Sequence, residues 1–79
     1  MKLEVNNMRL KGKVKWFYNK KGYGFVVCEE VNEDIFIGYN NIYGKGFKTL
    51  KQGQTVSFDL EETEKGYCAL NLVAEKIKL

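Results

Sequence analysis

Histidine and proline are absent from this chain, cysteine occurs only twice, and tryptophan once. Each shortage excludes something. Without histidine the commonest general acid–base group is missing. No serine or cysteine sits in a nucleophile motif, and no glycine-rich phosphate-cradling loop occurs. The acids Glu29, Glu30, Glu33 and Asp34 fit a solvated turn better than a catalytic pair. The chain is therefore expected not to be an enzyme and to need no cofactor and no small-molecule substrate. Two thiols with no histidine to complete a ligand set do not make a zinc site. Cys28 and Cys68 are expected as small, buried apolar residues. A disulfide between them stays open on sequence, although a reducing compartment disfavours it. Apolar runs long enough to span a bilayer are also missing, and the opening MKLEVNN lacks the apolar stretch of a secretion signal. The default expectation is a cytoplasmic protein with no membrane partner.

What is present suits one small domain. The 79 residues are 44% apolar and 29% charged, so the chain is fit to fold but near the lower size limit for a single unstapled core. Residues 1–7 are expected to form a loose extension and residues 8–79 the folded domain, monomeric by its size. The net charge of +3 is too small to name a partner by itself.

Five short apolar-rich runs recur between glycine, asparagine and charged clusters: Lys11–Tyr18, Tyr23–Cys28, Ile35–Tyr39, Thr55–Leu60 and Tyr67–Val73. Val56, Phe58 and Leu60 alternate with polar neighbours, and Leu70 and Leu72 are expected to share a face. The polar link Glu29–Asp34 suits a hairpin, whereas Asn40–Gly53 is a long connection carrying glycine and lysine. No segment carries a helical stripe, and the lack of proline leaves strand pairing unobstructed. The expected fold class is all-β, a five-stranded antiparallel barrel.

The stretch KGYGFVV, residues 21–27, points to function. As a strand it turns Tyr23, Phe25 and Val27 to one side and Gly24, Val26 and Cys28 to the other. The link to the next strand is too short for a crossover, so the pair is antiparallel and only one of its faces can meet the core. Val26 and Cys28, with Ile35 and Ile37 opposite, suit a narrow interior. Three large rings there would overfill it. Tyr23, Phe25 and Phe36 are then left outside, and an exposed apolar face on a small protein generally marks a binding site.

Charge suggests the ligand. Five lysines and no acid lie between Lys11 and Lys21, with three more at Lys45, Lys48 and Lys51. Most acids are segregated into Glu29–Asp34 and Asp59–Glu64. Rings interleaved with lysines match a single nucleic-acid strand, whose bases stack and whose phosphates attract cations. The competing interpretation is a peptide-binding module whose aromatic groove takes an extended or proline-rich segment.

Trp16-Phe17, KGYGFV at 21–26, DIFIGY at 34–39 and GFKTLKQGQTVSF at 46–58, in this order, resemble the cold-shock domain from about Met8 to Val73. The resemblance implies an oligonucleotide-binding (OB-fold) barrel that binds single-stranded RNA and DNA and acts as an RNA chaperone. By position, it implies base platforms at Trp16, Phe17, Tyr23, Phe25, Phe36, Tyr39 and Phe47. It also implies electrostatic contacts at Lys15, Lys21 and Lys65, and a base hydrogen bond at Asp34. Gly38 departs from the family, which usually has histidine there. Tyr18, where asparagine is common, and Tyr67, where proline is common, are candidates for a replacement ring.

Overall fold

In the computed structural model, residues 9–44 and 49–75 are described. They form β1 (Arg9–Tyr18), β2 (Tyr23–Cys28), β3 (Val31–Gly38), a 3₁₀ turn at Tyr39–Asn41, β4 (Thr55–Thr63) and β5 (Gly66–Ala74). The strands close into a barrel in the order β1-β2-β3-β5-β4. No α-helix occurs among the described residues, and none there is long and apolar enough to cross a membrane.

All neighbours pair antiparallel except β3 and β5, which run parallel through Ile35–Tyr67 and Phe36–Cys68. The expected five-stranded barrel is observed, antiparallel except at this seam. Its direction follows from connectivity: β4 opposes β1 and β5 opposes β4, so β5 must run with β3.

The interior is aliphatic around one ring. Val26, Ile35, Ile37, Val56, Phe58 and Leu72 are fully buried, joined by Leu10, Val14, Ala69, Ile42 and Leu50. Full burial of each such side chain contributes about 1.5–3 kcal/mol. Ile42 and Leu50 come from the long connection after β3, and both supply core. Ile42 forms a parallel bridge with Leu72, and the Leu50 amide donates to Asn19 Oδ1 at 3.1 Å. The connection is thereby tied to the β1–β2 turn. Residues 1–7, with the extension assigned to them, and residues 45–48, including Lys45 and Lys48, lie outside the described residues.

Three irregularities shift the alternation. Along β1 the even residues Leu10, Gly12 and Val14 are buried; then the register slips between Val14 and Trp16. Lys15 is the extra residue, and a bulge of this kind reverses which side chains face out. Between β2 and β3 the link is only Glu29–Glu30, because β3 begins at Val31, four residues earlier than the apolar pattern suggests. The register slips there too, between Val26 and Cys28. On β5, Asn71 takes a left-handed φ of 52°. Its side-chain amide donates to Asp59 at 3.1 Å, while Arg9 donates to its carbonyl at 2.8 Å. That slip buries Ala69 and Leu72 and leaves Leu70 half-exposed, so Leu70 and Leu72 do not share a face.

Candidate nucleic-acid interface

The bulge at Lys15 builds the site. It turns Trp16 and Tyr18 outward, to the face on which β2 presents Tyr23 and Phe25 and β3 presents Phe36. Register arranges these positions in two rows across three strands. One row is Trp16–Phe25–Phe36, and the other is Tyr18–Tyr23–Gly38. Five rings and one missing side chain make up the array.

The rings support one another. Trp16 meets Phe25 edge-on at 5.3 Å, and Phe25 meets Phe36 at 5.7 Å. Tyr23 sits centrally, edge-on to Trp16 and Tyr18 at 6.0 Å each and stacked on Phe36 at 6.2 Å. Edge-to-face pairs are worth about 0.5–1.5 kcal/mol each beyond area burial. None of the five rings belongs to the core or packs against it. Trp16 and Phe36 remain about 40% exposed, which leaves flat apolar surface available to a ligand.

Two glycines make this arrangement possible. A Cβ at Gly24 would run into the Trp16 carbonyl and the Phe17 ring, so only glycine lets β1 and Phe17 approach β2 here. Gly22, at φ 79°, closes the β1–β2 turn in a conformation that other residues adopt at a cost. Its carbonyl accepts the Tyr39 amide at 2.8 Å, and the Tyr39 ring lies over its α-carbon. Tyr39 is thus outside β3, beside the turn, exposed and in no ring–ring contact among the described residues.

The other expected platforms divide. Phe17 points the opposite way from Trp16 and is half-buried against the core. Phe47 lies outside the described residues. Tyr67 packs partly against the core, and its seam with Phe36 forms a groove lined also by Phe25, Glu33, Asp34, Lys65 and Cys68. Tyr18 joins the exposed array.

Among the cations, Lys15 reaches across β2 to Asp34, Nζ to Oδ2 2.8 Å. Lys21 is exposed in the β1–β2 turn. Lys65 caps the groove from the β4–β5 turn, where Thr63 Oγ1 accepts the Lys65 amide at 3.2 Å and donates to the Gly66 carbonyl at 2.8 Å. Lys11 and Lys13 instead serve the barrel's other end, 3.1 Å from Glu75 and 3.5 Å from Thr55.

Both cysteines are free thiols and half-buried. Cys28 packs against the core, and burial pushes its thiol above the ordinary value. Cys68 lines the groove beside Phe36. Neither belongs to a cluster of residues able to hold a metal among those described.

Comparison with known proteins agrees with this geometry. Residues 10–75 match the family described as the 'Cold-shock' DNA-binding domain. Cold shock-like protein CspC of Escherichia coli (strain K12) is 42% identical over 66 residues, covering 84% of this chain and 96% of that one. Cold shock-like protein CspE of Buchnera aphidicola subsp. Acyrthosiphon pisum (strain APS) has the same identity and coverage. The solved structure of drosophila Unr CSD456 superposes with a TM-score of 0.70 at 18% identity, over 86% of this chain and 27% of that one. At that identity it bears on the fold alone, and this chain spans about a quarter of its length. The chain belongs to the cold-shock domain family.

Proposed function

We propose that this protein binds single-stranded RNA and DNA with low sequence specificity and acts as an RNA chaperone. The observation that carries this conclusion is the five-ring array outside the barrel, bordered by Lys15, Lys21 and Lys65. Every base has a π-face, so stacking on rings is tolerant of sequence and contributes about 1–3 kcal/mol per base. Several such contacts, less the cost of ordering the strand, correspond to affinities between nanomolar and micromolar. A protein that holds unpaired bases favours the open form of a weak hairpin by mass action, with no energy source.

One observation favours a second reading. The groove beside Phe36 carries Glu33 and Asp34, acids that an extended peptide with basic residues could use. Against it, Asp34 already faces Lys15 at 2.8 Å. Trp16 is the only tryptophan and stands in the array, so its emission separates the two. Oligothymidine is expected to quench it and proline-rich peptide to leave it unchanged. The reverse result would overturn the nucleic-acid conclusion.

A further inference from the structure

Tyr18 is an aromatic where the family commonly has asparagine, and Gly38 lacks a ring where the family usually has histidine. Register puts them at opposite ends of one row, Tyr18–Tyr23–Gly38. Above Gly38 the space is open: a Cβ built there meets only the edge of Phe36, at 3.6 Å. The β3 end of the row therefore offers a base peptide backbone and no ring. The β1 end offers Tyr18, which is 54% exposed, more than Trp16 or Phe36.

Tyr18 also touches fewer rings than its neighbours. It meets Trp16 at 6.2 Å and Tyr23 at 6.0 Å, both edge-on, so it forms a corner of the array with its outer side to solvent. A strut that only braced Trp16 would bury its ring against Trp16; this one leaves more than half its surface in water. The turn that follows folds back on Tyr18. Its carbonyl accepts the amides of Lys21 at 3.0 Å and Gly22 at 2.7 Å. The exposed Lys20 and Lys21 are thereby held at the same corner, where they can neutralise a phosphate. A flat ring beside two cations is the chemistry of a nucleotide subsite.

Resting on the nucleic-acid reading above, we infer that Tyr18, with Lys20 and Lys21, forms a terminal nucleotide subsite that moves the second row's stacking position from β3 to β1. The ligand there is one end nucleotide of a bound single strand. Its base lies against the Tyr18 ring and its phosphate faces the turn lysines.

The test is fluorescence anisotropy of labelled oligothymidines from about four to about ten nucleotides, within the lower range of single-barrel site sizes. Wild type, Tyr18→Asn and Tyr18→Phe are compared after thermal melts confirm folding. Tyr18→Asn is expected to bind the longer oligomers about tenfold more weakly, equivalent to ~1.4 kcal/mol. It should match wild type on the shortest, and its affinity should stop rising with length one nucleotide earlier. Tyr18→Phe is expected to follow wild type. Equal weakening at every length would show that Tyr18 only positions Trp16, and equal affinity at every length would show no contact; either overturns the subsite. Failure of wild type to bind any length would instead remove the nucleic-acid reading, and the subsite with it.

Discussion

Lys15 and Asp34 meet at 2.8 Å across the width of β2, each about half exposed. An ion pair this exposed contributes less than about 1 kcal/mol to folding. Lys15→Ala is therefore expected to leave the urea midpoint almost unchanged. Its effect should appear in binding. If about four phosphates are neutralised, the log–log salt slope for a single strand is roughly −3, and losing one contact flattens it by about 0.7. Anisotropy titrations across potassium chloride concentrations measure both slopes. An unaltered slope would mean that Lys15 stays with Asp34 when ligand is bound.

Phe25 and Phe36 stand outside the barrel, whereas Phe58 fills it. Alanine at either of the first two positions is expected to weaken oligonucleotide binding about tenfold or more, ~1.4 kcal/mol, while circular dichroism still reports a folded barrel. Phe58→Ala should cost about 3–5 kcal/mol of stability. Unchanged affinity in both Phe25→Ala and Phe36→Ala would remove the stacking mechanism.

Gly38 has extended backbone, φ −109° and ψ 157°, and room for a side chain beside Phe36. Gly38→His is expected to stabilise the strand by roughly 0.5–1 kcal/mol, the usual cost of glycine within a strand. The added ring should also tighten binding to pyrimidine-rich DNA, since one stacked base contributes about 1–3 kcal/mol. Calorimetric titration checks the affinity. Weaker binding would show that the family's geometry does not transfer to this position.

Burial raises the Cys28 thiol above its ordinary 9.0; the Glu30 side chain adds to this, and the amides of Glu30 and Val31 oppose it. A raised value means less thiolate at a given pH, so iodoacetamide should label Cys28 in a Cys68→Ser background more slowly than a free thiol. The same shift has a stability consequence. The folded state holds this proton more tightly than the unfolded state, so the contribution is complete below the unfolded value and lost as pH rises through the folded one. Urea midpoints measured upward from pH 9.0 should fall more steeply for wild type than for Cys28→Ala.

Alternation made β2, the apolar half of β3 and the start of β4 legible in the sequence: Val26, Ile35, Ile37, Val56 and Phe58 are inside, and Tyr23, Phe25 and Phe36 outside. It failed where the backbone slips. The Lys15 bulge leaves no mark in KVKWFY, so nothing in the residues said that Phe17 faces in while Tyr18 faces out. Val31–Asp34 looked like a turn because three of its four side chains are polar and exposed. Ile42 and Leu50 lie in a segment without periodicity, and only the bridge to Leu72 and the hydrogen bond to Asn19 bring them inside. Resemblance supplied Lys65 and Asp34, which no spacing argument would have selected.

The slip in β1 also bears on how such a strand can diverge. Upstream of Lys15 the even-numbered side chains fill the interior, and downstream they face outward. Lys15 is the extra residue, so deleting it would leave Trp16 opposite Phe25 and facing out, whereas regular pairing at unchanged length would aim the indole inward, where Phe58 is fully buried. Substitutions along β1 are graded in their effect, whereas a one-residue change of length beyond the bulge, between Trp16 and Tyr18, exchanges inside for outside at a stroke. Insertions and deletions tolerated by relatives of this chain should accordingly fall in its connections or at the bulge itself, and spare Trp16 to Tyr18.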